Sequence, residues 1–283
     1  MPQDLAGKNI VVTGANTGIG EATAAALAAR GARVVLACRS EDKTRPVLEA
    51  IRAKGGDAAF LALDLASLAS VRAAADRLIE EGRAVDVLVN NAGLAGLRGA
   101  TKDGFEVAFG TNHLGHFLLT MRLAPLLAKA PAARIVNVSS MSHYDAKGID
   151  WDALRAPTRT VTGLPEYAVS KLANVLFTAE LARRVGSTTG IRSYALHPGV
   201  VASDAWRQIP WPIRPIIKLF MITNEDGAAT TLHCATSPDV AGDDGRYYDK
   251  CREKKPSKLA RDPELARALW AKSVEWTGAD WAA

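Results

Sequence analysis

Cysteine is scarce in this chain of 283 residues: only Cys38, Cys234 and Cys251, odd in number and with no CxxC pair. That excludes a disulfide framework and a cysteine-built zinc site, and it fits a reducing, cytoplasmic setting. Long apolar runs are missing as well. The best candidate, "WPIRPIIKLFMI" at 211–222, contains Arg214, Pro215 and Lys218. It falls short of the roughly 18–20 apolar residues that a membrane span needs. The start, "MPQDLAGKNIVVTG", has no basic-then-apolar leader, so no secretory signal is expected. No shift of composition marks a linker, and a single domain over residues 1–283 is expected. Clustered charge is absent too, although the net charge is +5. Lys and Arg are spread among acids, and the densest group, "KCREKKPSK" at 250–258, has no interleaved aromatics. It reads as a solvated face, with a local attraction for anions as the weaker alternative, and no nucleic-acid partner is expected.

What is present is an ordinary globular mix, 48% hydrophobic and 23% charged, on a chain long enough for a sizeable core. Short β-branched runs alternate with alanine-rich stretches. Strands are expected at 9–14, 33–39, 58–65, 85–93, 134–140 and 192–199. Helices are expected after 14 to about Gly31, after the second strand, from about Ser67, over 104–129 and over 166–185. The strand runs are nearly continuous in apolar residues, as in a parallel sheet covered on both faces. The expected fold is therefore α/β: a Rossmann-type, doubly wound, mostly parallel seven-stranded sheet with helices on both faces. Two irregular stretches follow strands, an insertion at 143–165 and a lid-like loop at 203–223. Ligands of such folds bind at the carboxyl ends of the strands, so both stretches are candidates for function.

"TGANTGIG", from Thr13 to Gly20, joins the first strand to the first helix, with Gly14, Gly18 and Gly20 in a GxxxGxG spacing. Glycine permits the tight turn and the close approach of a diphosphate, which the helix N-terminus then favours. A plain glycine-rich turn would look similar, but the strand–loop–helix context is the one a dinucleotide needs. The second strand ends in Cys38 and Arg39, with no acid until Glu41. An acid there suits the free 2′-hydroxyl of NAD(H) and an arginine the 2′-phosphate of NADP(H), so NADP(H) is the expected cofactor.

"EYAVSK" at 166–171 sets Tyr167 and Lys171 four apart, on one face of a helix. The spacing suits a surface pair as well as a proton-donating couple, and its context separates the two. "TGANTGIG", "NNAG" (90–93), "VNVSS" (136–140), "YAVSK" (167–171) and "HPGVVAS" (197–203) occur in this order. Together they resemble the short-chain dehydrogenase/reductase family over residues 8–250. "LACRSEDK", "GTNHLGHFLLT", "SKLANVLFTAELARR", "LHPGVV" and "TTLHCA" resemble its retinol-dehydrogenase-like branch. The resemblance implies an oxidoreductase that interconverts a ketone or aldehyde and its alcohol. It implies Tyr167 as general acid or base, and Lys171 as the residue that lowers its pKa and binds the nicotinamide ribose. Ser140 would orient the substrate oxygen, and Asn112 would hold a water linking Lys171 to solvent. Asn16, Thr17 and Ile19 would join the three glycines around the diphosphate. Asp64 and Leu65 would contact adenine. Asn91, Ala92 and Gly93 would line the cofactor, with Pro198, Gly199, Val200 and Ser203 at the nicotinamide end.

Physical chemistry supports the same couple. A free tyrosine, with a pKa of about 10, is a poor base at neutral pH. A nearby ammonium and a positive nicotinamide ring favour its phenolate. Other residues have plainer roles open to them. Ser139 or Ser142 could do the work of Ser140. His113 and His116 lie three apart but lack a third ligand, so no metal is expected. His143 reads as a pocket wall. The 205–222 stretch supplies Trp206, Ile209, Trp211 and Phe220, either for an apolar substrate pocket or for the core. The C-terminal "ELARALWAKSVEWTGADW" is amphipathic and docks on its own domain or on another subunit, which leaves room for a homo-oligomer. The alternative function is a dinucleotide-sensing protein without turnover. The presence of Tyr167, Lys171, Ser140 and Asn112 together argues against it.

Overall fold

The β-branched runs form strands and the alanine-rich stretches form helices in the computed structural model, which describes residues 3–199 and 223–282. Strands β1 (Asn9–Thr13), β2 (Arg33–Cys38), β3 (Asp57–Ala62), β4 (Val87–Asn90), β5 (Arg134–Val138), β6 (Arg192–His197), β7 (Arg246–Asp249) and β8 (Arg252–Glu253) form one sheet in the order β3-β2-β1-β4-β5-β6-β7-β8. β1 to β7 pair in parallel, and β8 is antiparallel to β7. The sheet thus has eight strands rather than the expected seven. The extra one arises where Lys250 and Cys251, both at positive φ (52° and 58°), form a two-residue turn that folds part of the basic 250–258 cluster back on β7.

Alternate strand residues serve opposite layers. Val11, Val35, Leu88 and Ile135 face helices α3 (Leu68–Glu81), α5 (Gly115–Arg122), α7 (Leu164–Leu181) and α9 (Pro263–Thr277). Ile10, Val12, Leu36 and Val136 face α1 (Gly18–Ala29), α2 (Glu41–Ala53) and α8 (Asn224–Thr236). Both faces being covered explains the continuous apolar runs. The C-terminal amphipathic stretch is α9, and it docks on its own chain: Trp270 meets Phe117 edge to face with ring centres 5.3 Å apart, and Trp276 lies tilted against Phe105 at 5.5 Å. Among the described residues, no helix is long and apolar enough to cross a membrane.

The helix expected over 104–129 is instead a broken path. α4 (Val107–Phe109) leads into a π turn at Gly110–Leu114, then α5, then α6 (Ala124–Leu127). A Cβ on Gly110 would stand 2.4 Å from Thr101 Cγ2, and one on Gly115 2.6 Å from the Leu65 carbonyl oxygen. The path is pressed against neighbouring loops at both glycines, and the wide turn between them carries Asn112.

The 143–165 insertion is tied down at three points. Leu154 is buried and its carbonyl accepts from Glu106 N–H at 3.0 Å. Thr158 Oγ1 donates to the buried Glu106 carboxylate at 2.5 Å, while that carboxylate also caps α4 through Phe109 N–H at 2.8 Å. Glu166 accepts from Thr160 N–H at 2.9 Å, so the strap ends at the first turn of α7, next to Tyr167. The lid-like loop, apart from Thr223, lies outside the described residues, together with Val200, Ser203, Trp206, Ile209, Trp211 and Phe220.

Candidate active site

The strand order reverses between β1 and β4, and a cleft of about 1620 Å³ opens there at the carboxyl ends of the strands. Gly14 leaves β1 with φ 66°, and Gly18 opens α1 with φ 60°. A Cβ on Gly14 would come 2.9 Å from Ala92 Cα, and one on Gly20 2.3 Å from the Gly14 carbonyl oxygen. Glycine is therefore required at both points, and the loop keeps its backbone open to the cleft. Thr17 stands at the N-cap of α1 without a side-chain cap bond, which leaves first-turn N–H groups for an anion.

Gly14, Asn16, Thr17, Gly18, Ile19, Gly20, Arg39, Asp64, Leu65, Asn91, Ala92, Gly93, Pro198 and Gly199 all line this cleft, together with Ser140, Tyr167 and Lys171. Asn112 does not. Its amide is built into the wall behind Gly93: Oδ1 accepts from Leu94 N–H, while Nδ2 donates to Leu94 O and to Ser170 Oγ, each at 2.9 Å. The sequence reasoning missed Lys43, which lines the cleft from the first turn of α2, and Lys254, which enters it from the basic cluster read as a solvated face. It also missed Thr111, Met141, Tyr144 and His197. Lys43 was legible as a second cation just past the end of β2. Lys254 was not, because only the β7–β8 turn brings it there.

At the floor of the cleft, β5 ends in two serines that part company. Ser139 Oγ donates to the Lys171 carbonyl at 2.8 Å and is buried, so it pins the strand to α7. Ser140 lines the cleft with Tyr167; its hydroxyl donates to Ser142 Oγ at 3.3 Å and accepts from Ser142 N–H at 3.2 Å. Lys171 Nζ lies 5.6 Å from the Tyr167 ring centre and donates to Val138 O at 2.8 Å. Burial lowers the Lys171 pKa to about 8. Burial also pushes the Tyr167 phenol up, and the neighbouring Ser140 hydroxyl only partly opposes that. The chain alone thus raises the phenol instead of activating it, because burial outweighs the nearby hydroxyl, while the Lys171 ammonium donates to the Val138 carbonyl.

Three of the histidines are structural. His143 Nδ1 donates to Ser140 O at 2.7 Å, and its Nε2 accepts from Ser257 N–H at 3.1 Å. With both nitrogens committed it is a buried strut behind Ser140, rather than the expected pocket wall. His113 reaches Ser273 on α9 at 3.1 Å, whereas His116 reaches Thr13 at 2.9 Å. The two rings diverge, and among the described residues no group of three His, Cys, Asp or Glu side chains could hold a metal.

The site fits a dinucleotide on two observations: the glycine cradle that added Cβ atoms would fill, and the Thr111 hydroxyl, buried in the cleft lining without a partner among the described residues. A doubly wound sheet with a glycine-cradled cleft at its switch point is the architecture of a dinucleotide-binding protein. Residues 8–151 match the family model described as short chain dehydrogenase. The chain is 41% identical over 285 residues to retinol dehydrogenase 13 of Homo sapiens, covering 97% of this chain and 86% of that protein. It is equally 41% identical over 285 residues to retinol dehydrogenase 12 of Mus musculus, covering 98% and 88%. An uncharacterized protein from Mycobacterium paratuberculosis superposes with a TM-score of 0.81 at 34% identity, over 100% of this chain and 99% of that one. A protein from Beutenbergia cavernae, described as an NAD(P)-dependent gluconate 5-dehydrogenase with NADP bound at low occupancy, gives 0.71 at 26% identity over 88% and 97%. The chain belongs to the short-chain dehydrogenase/reductase family, in its retinol-dehydrogenase-like branch, a family of NAD(P)-dependent enzymes acting on alcohol/carbonyl pairs.

Proposed function

We propose that the protein interconverts a bulky, apolar ketone or aldehyde and its alcohol with NADP(H), using Tyr167 as general acid and base. The observation that carries this is that Tyr167, Ser140 and Lys171 share the lining of one cleft, with the Lys171 ammonium 5.6 Å from the phenol ring centre. The nicotinamide, when bound, supplies or accepts the hydride. In the reducing direction Ser140 donates a hydrogen bond to the carbonyl oxygen, and Tyr167 passes it the phenolic proton as charge develops. The Lys171 ammonium stabilises the phenolate left behind, and in the oxidising direction that phenolate takes the alcohol proton. Asn112 keeps Leu94, and with it the wall next to Gly93, in place.

NADP(H) is favoured by Arg39 and Lys43, two cations on the lining just past β2, with no acid at the strand end. An apolar substrate is favoured by the mouth. Of the six large hydrophobic side chains exposed among the described residues, Leu97, Met141, Tyr144 and Leu164 line the cleft, and Val161 adjoins Thr162, which also does.

Oxidation of NADPH and NADH is followed with a panel of aldehydes, aromatic ketones, steroids and retinoids. Turnover should prefer NADPH and large apolar carbonyls, and preference for small polar ketones would count against the apolar pocket. Tyr167→Phe should abolish turnover and keep NADPH binding; substantial residual activity would refute the acid–base role. Arg39→Ala should weaken NADPH far more than NADH, and equal losses would remove the cofactor assignment.

A further inference from the structure

Thr13, the last residue of β1, is fully buried, yet its hydroxyl is among the busiest polar atoms next to the cleft. It accepts from Asn91 N–H and from Ala92 N–H, both at 2.9 Å. A hydroxyl has two lone pairs and one proton, so these two bonds leave only the proton to place. Two acceptors are near it: His116 Nε2 at 2.9 Å and Val89 O at 3.4 Å. The other ring nitrogen of His116, Nδ1, lies 2.9 Å from Asn112 O. A carbonyl oxygen can only accept, so Nδ1 carries the ring proton. A buried neutral ring then has its lone pair on Nε2, aimed at Thr13.

The bonds form a directed chain. Asn112 O accepts from His116 Nδ1, His116 Nε2 accepts from Thr13 Oγ1, and Thr13 Oγ1 accepts from Asn91 and Ala92. Asn112 in turn holds Leu94 through its side chain. One buried ring thus links the two ends of the 91–94 loop, which forms a wall of the dinucleotide cleft.

We propose that His116 is a positioning residue for the nicotinamide cofactor. By taking the Thr13 proton it keeps the hydroxyl a double acceptor, and this holds the backbone of Asn91 and Ala92 in the shape the cofactor needs. The inference rests on the proposed dinucleotide function and adds a residue that touches neither cofactor nor substrate.

Three replacements separate this role from plain space-filling. Gln at 116 can set its amide oxygen near the Nε2 position and accept the Thr13 proton. Asn is too short to reach Thr13, and Leu fills space without accepting. NADPH binding, followed by its fluorescence, should stay within about threefold of the unaltered chain in His116→Gln and weaken by about tenfold in His116→Asn and His116→Leu. Steady-state kinetics should show the loss in KM for NADPH, with kcat little changed. Thr13→Val removes the acceptor itself from the Asn91 and Ala92 N–H groups, so it should weaken NADPH binding at least as much as His116→Leu. Equal binding by the Leu and Gln variants would overturn the proposal while leaving the cofactor assignment intact. Absence of NADPH binding by the unaltered chain would overturn both. A measurement on the unaltered chain avoids any folding defect: nitrogen NMR of the His116 ring should show a protonated Nδ1 and a bare Nε2, and the opposite tautomer would refute the relay.

Discussion

Lys171 holds its charge where folding disfavours it. Its pKa is lowered by burial to about 8, against about 10.4 for a free lysine, so the unfolded chain binds this proton more tightly. The contribution of Lys171 to stability is therefore unfavourable at neutral pH and improves as pH rises through 8 towards 10.4. Lys171→Met should raise stability by about 1 kcal/mol while abolishing turnover, a trade expected of catalytic positions. Asn174 Nδ2, 3.3 Å from Val138 O, remains to satisfy the carbonyl that Lys171 leaves. Thermal unfolding checks this, and a melting point several degrees lower would contradict it. The buried histidines act at the other end of the pH scale. Burial lowers His113 to about 3 and His116 to about 4, and repulsion from nearby positive charge adds to this, from His116 on His113 and from Lys171 on His116. Both rings stay neutral in the fold, so as pH falls below about 6.5 the unfolded chain takes up protons first. Each ring then removes up to about 1.4 kcal/mol of stability per pH unit, until the folded rings protonate near 4 and 3. Denaturation between pH 7 and 4.5 should show this fall, and His113→Phe should reduce its slope by about half a proton or more. An unchanged slope would mean that His113 is not held neutral.

Secondary-structure elements here meet at glycines. Gly115→Ala should cost about 1–3 kcal/mol, because the new Cβ meets the Leu65 backbone and α5 must back away. Gly242→Ala, with nothing within 4 Å, should be neutral or stabilise by about 0.4–1 kcal/mol. Chemical denaturation of the pair reads the contrast directly, and equal effects would show that close approach is not what Gly115 provides. The same elements show what the sequence disclosed and what it withheld. β1, β2, β4, β5 and β6 were legible because strands buried on both faces are continuous in apolar residues, and GxxxGxG between β1 and α1 located the cleft. β7 and β8 escaped notice. "RYYD" is short, and their turn uses Lys250 and Cys251, neither of which announces a positive φ. The break in the 104–129 helix was hidden as well, since Gly110 and Gly115 act through neighbours distant in sequence. Tyr167, Lys171 and Ser140, singled out by the order of motifs, share the lining of the cleft. The buried wall role of the Asn112 side chain and the strut role of His143 depend on tertiary partners that no local pattern encodes.

Across the whole molecule, α9 closes the layer formed by α5 and α7. Trp270 lies against Phe117 and Phe177, its indole N–H donates to Asp280 at 2.9 Å, and Arg184 lies over its ring at 4.8 Å. Trp270→Ala should cost about 3–5 kcal/mol, read by denaturation, and a loss under about 1 kcal/mol would show that α9 is a loose cover. The strut behind Ser140 bears on the order in which a growing chain becomes competent. His143 needs the Ser257 N–H, and Tyr144 donates to the Lys255 carbonyl at 2.7 Å. The glycine loop, the serine-ended strand and the Tyr–Lys helix have all left the ribosome long before those partners are made. A nascent chain stalled short of residue 255 would carry every reactive side chain proposed here, yet lack the brace behind its serine, so chemistry should switch on late in synthesis, after the nucleotide cradle already exists.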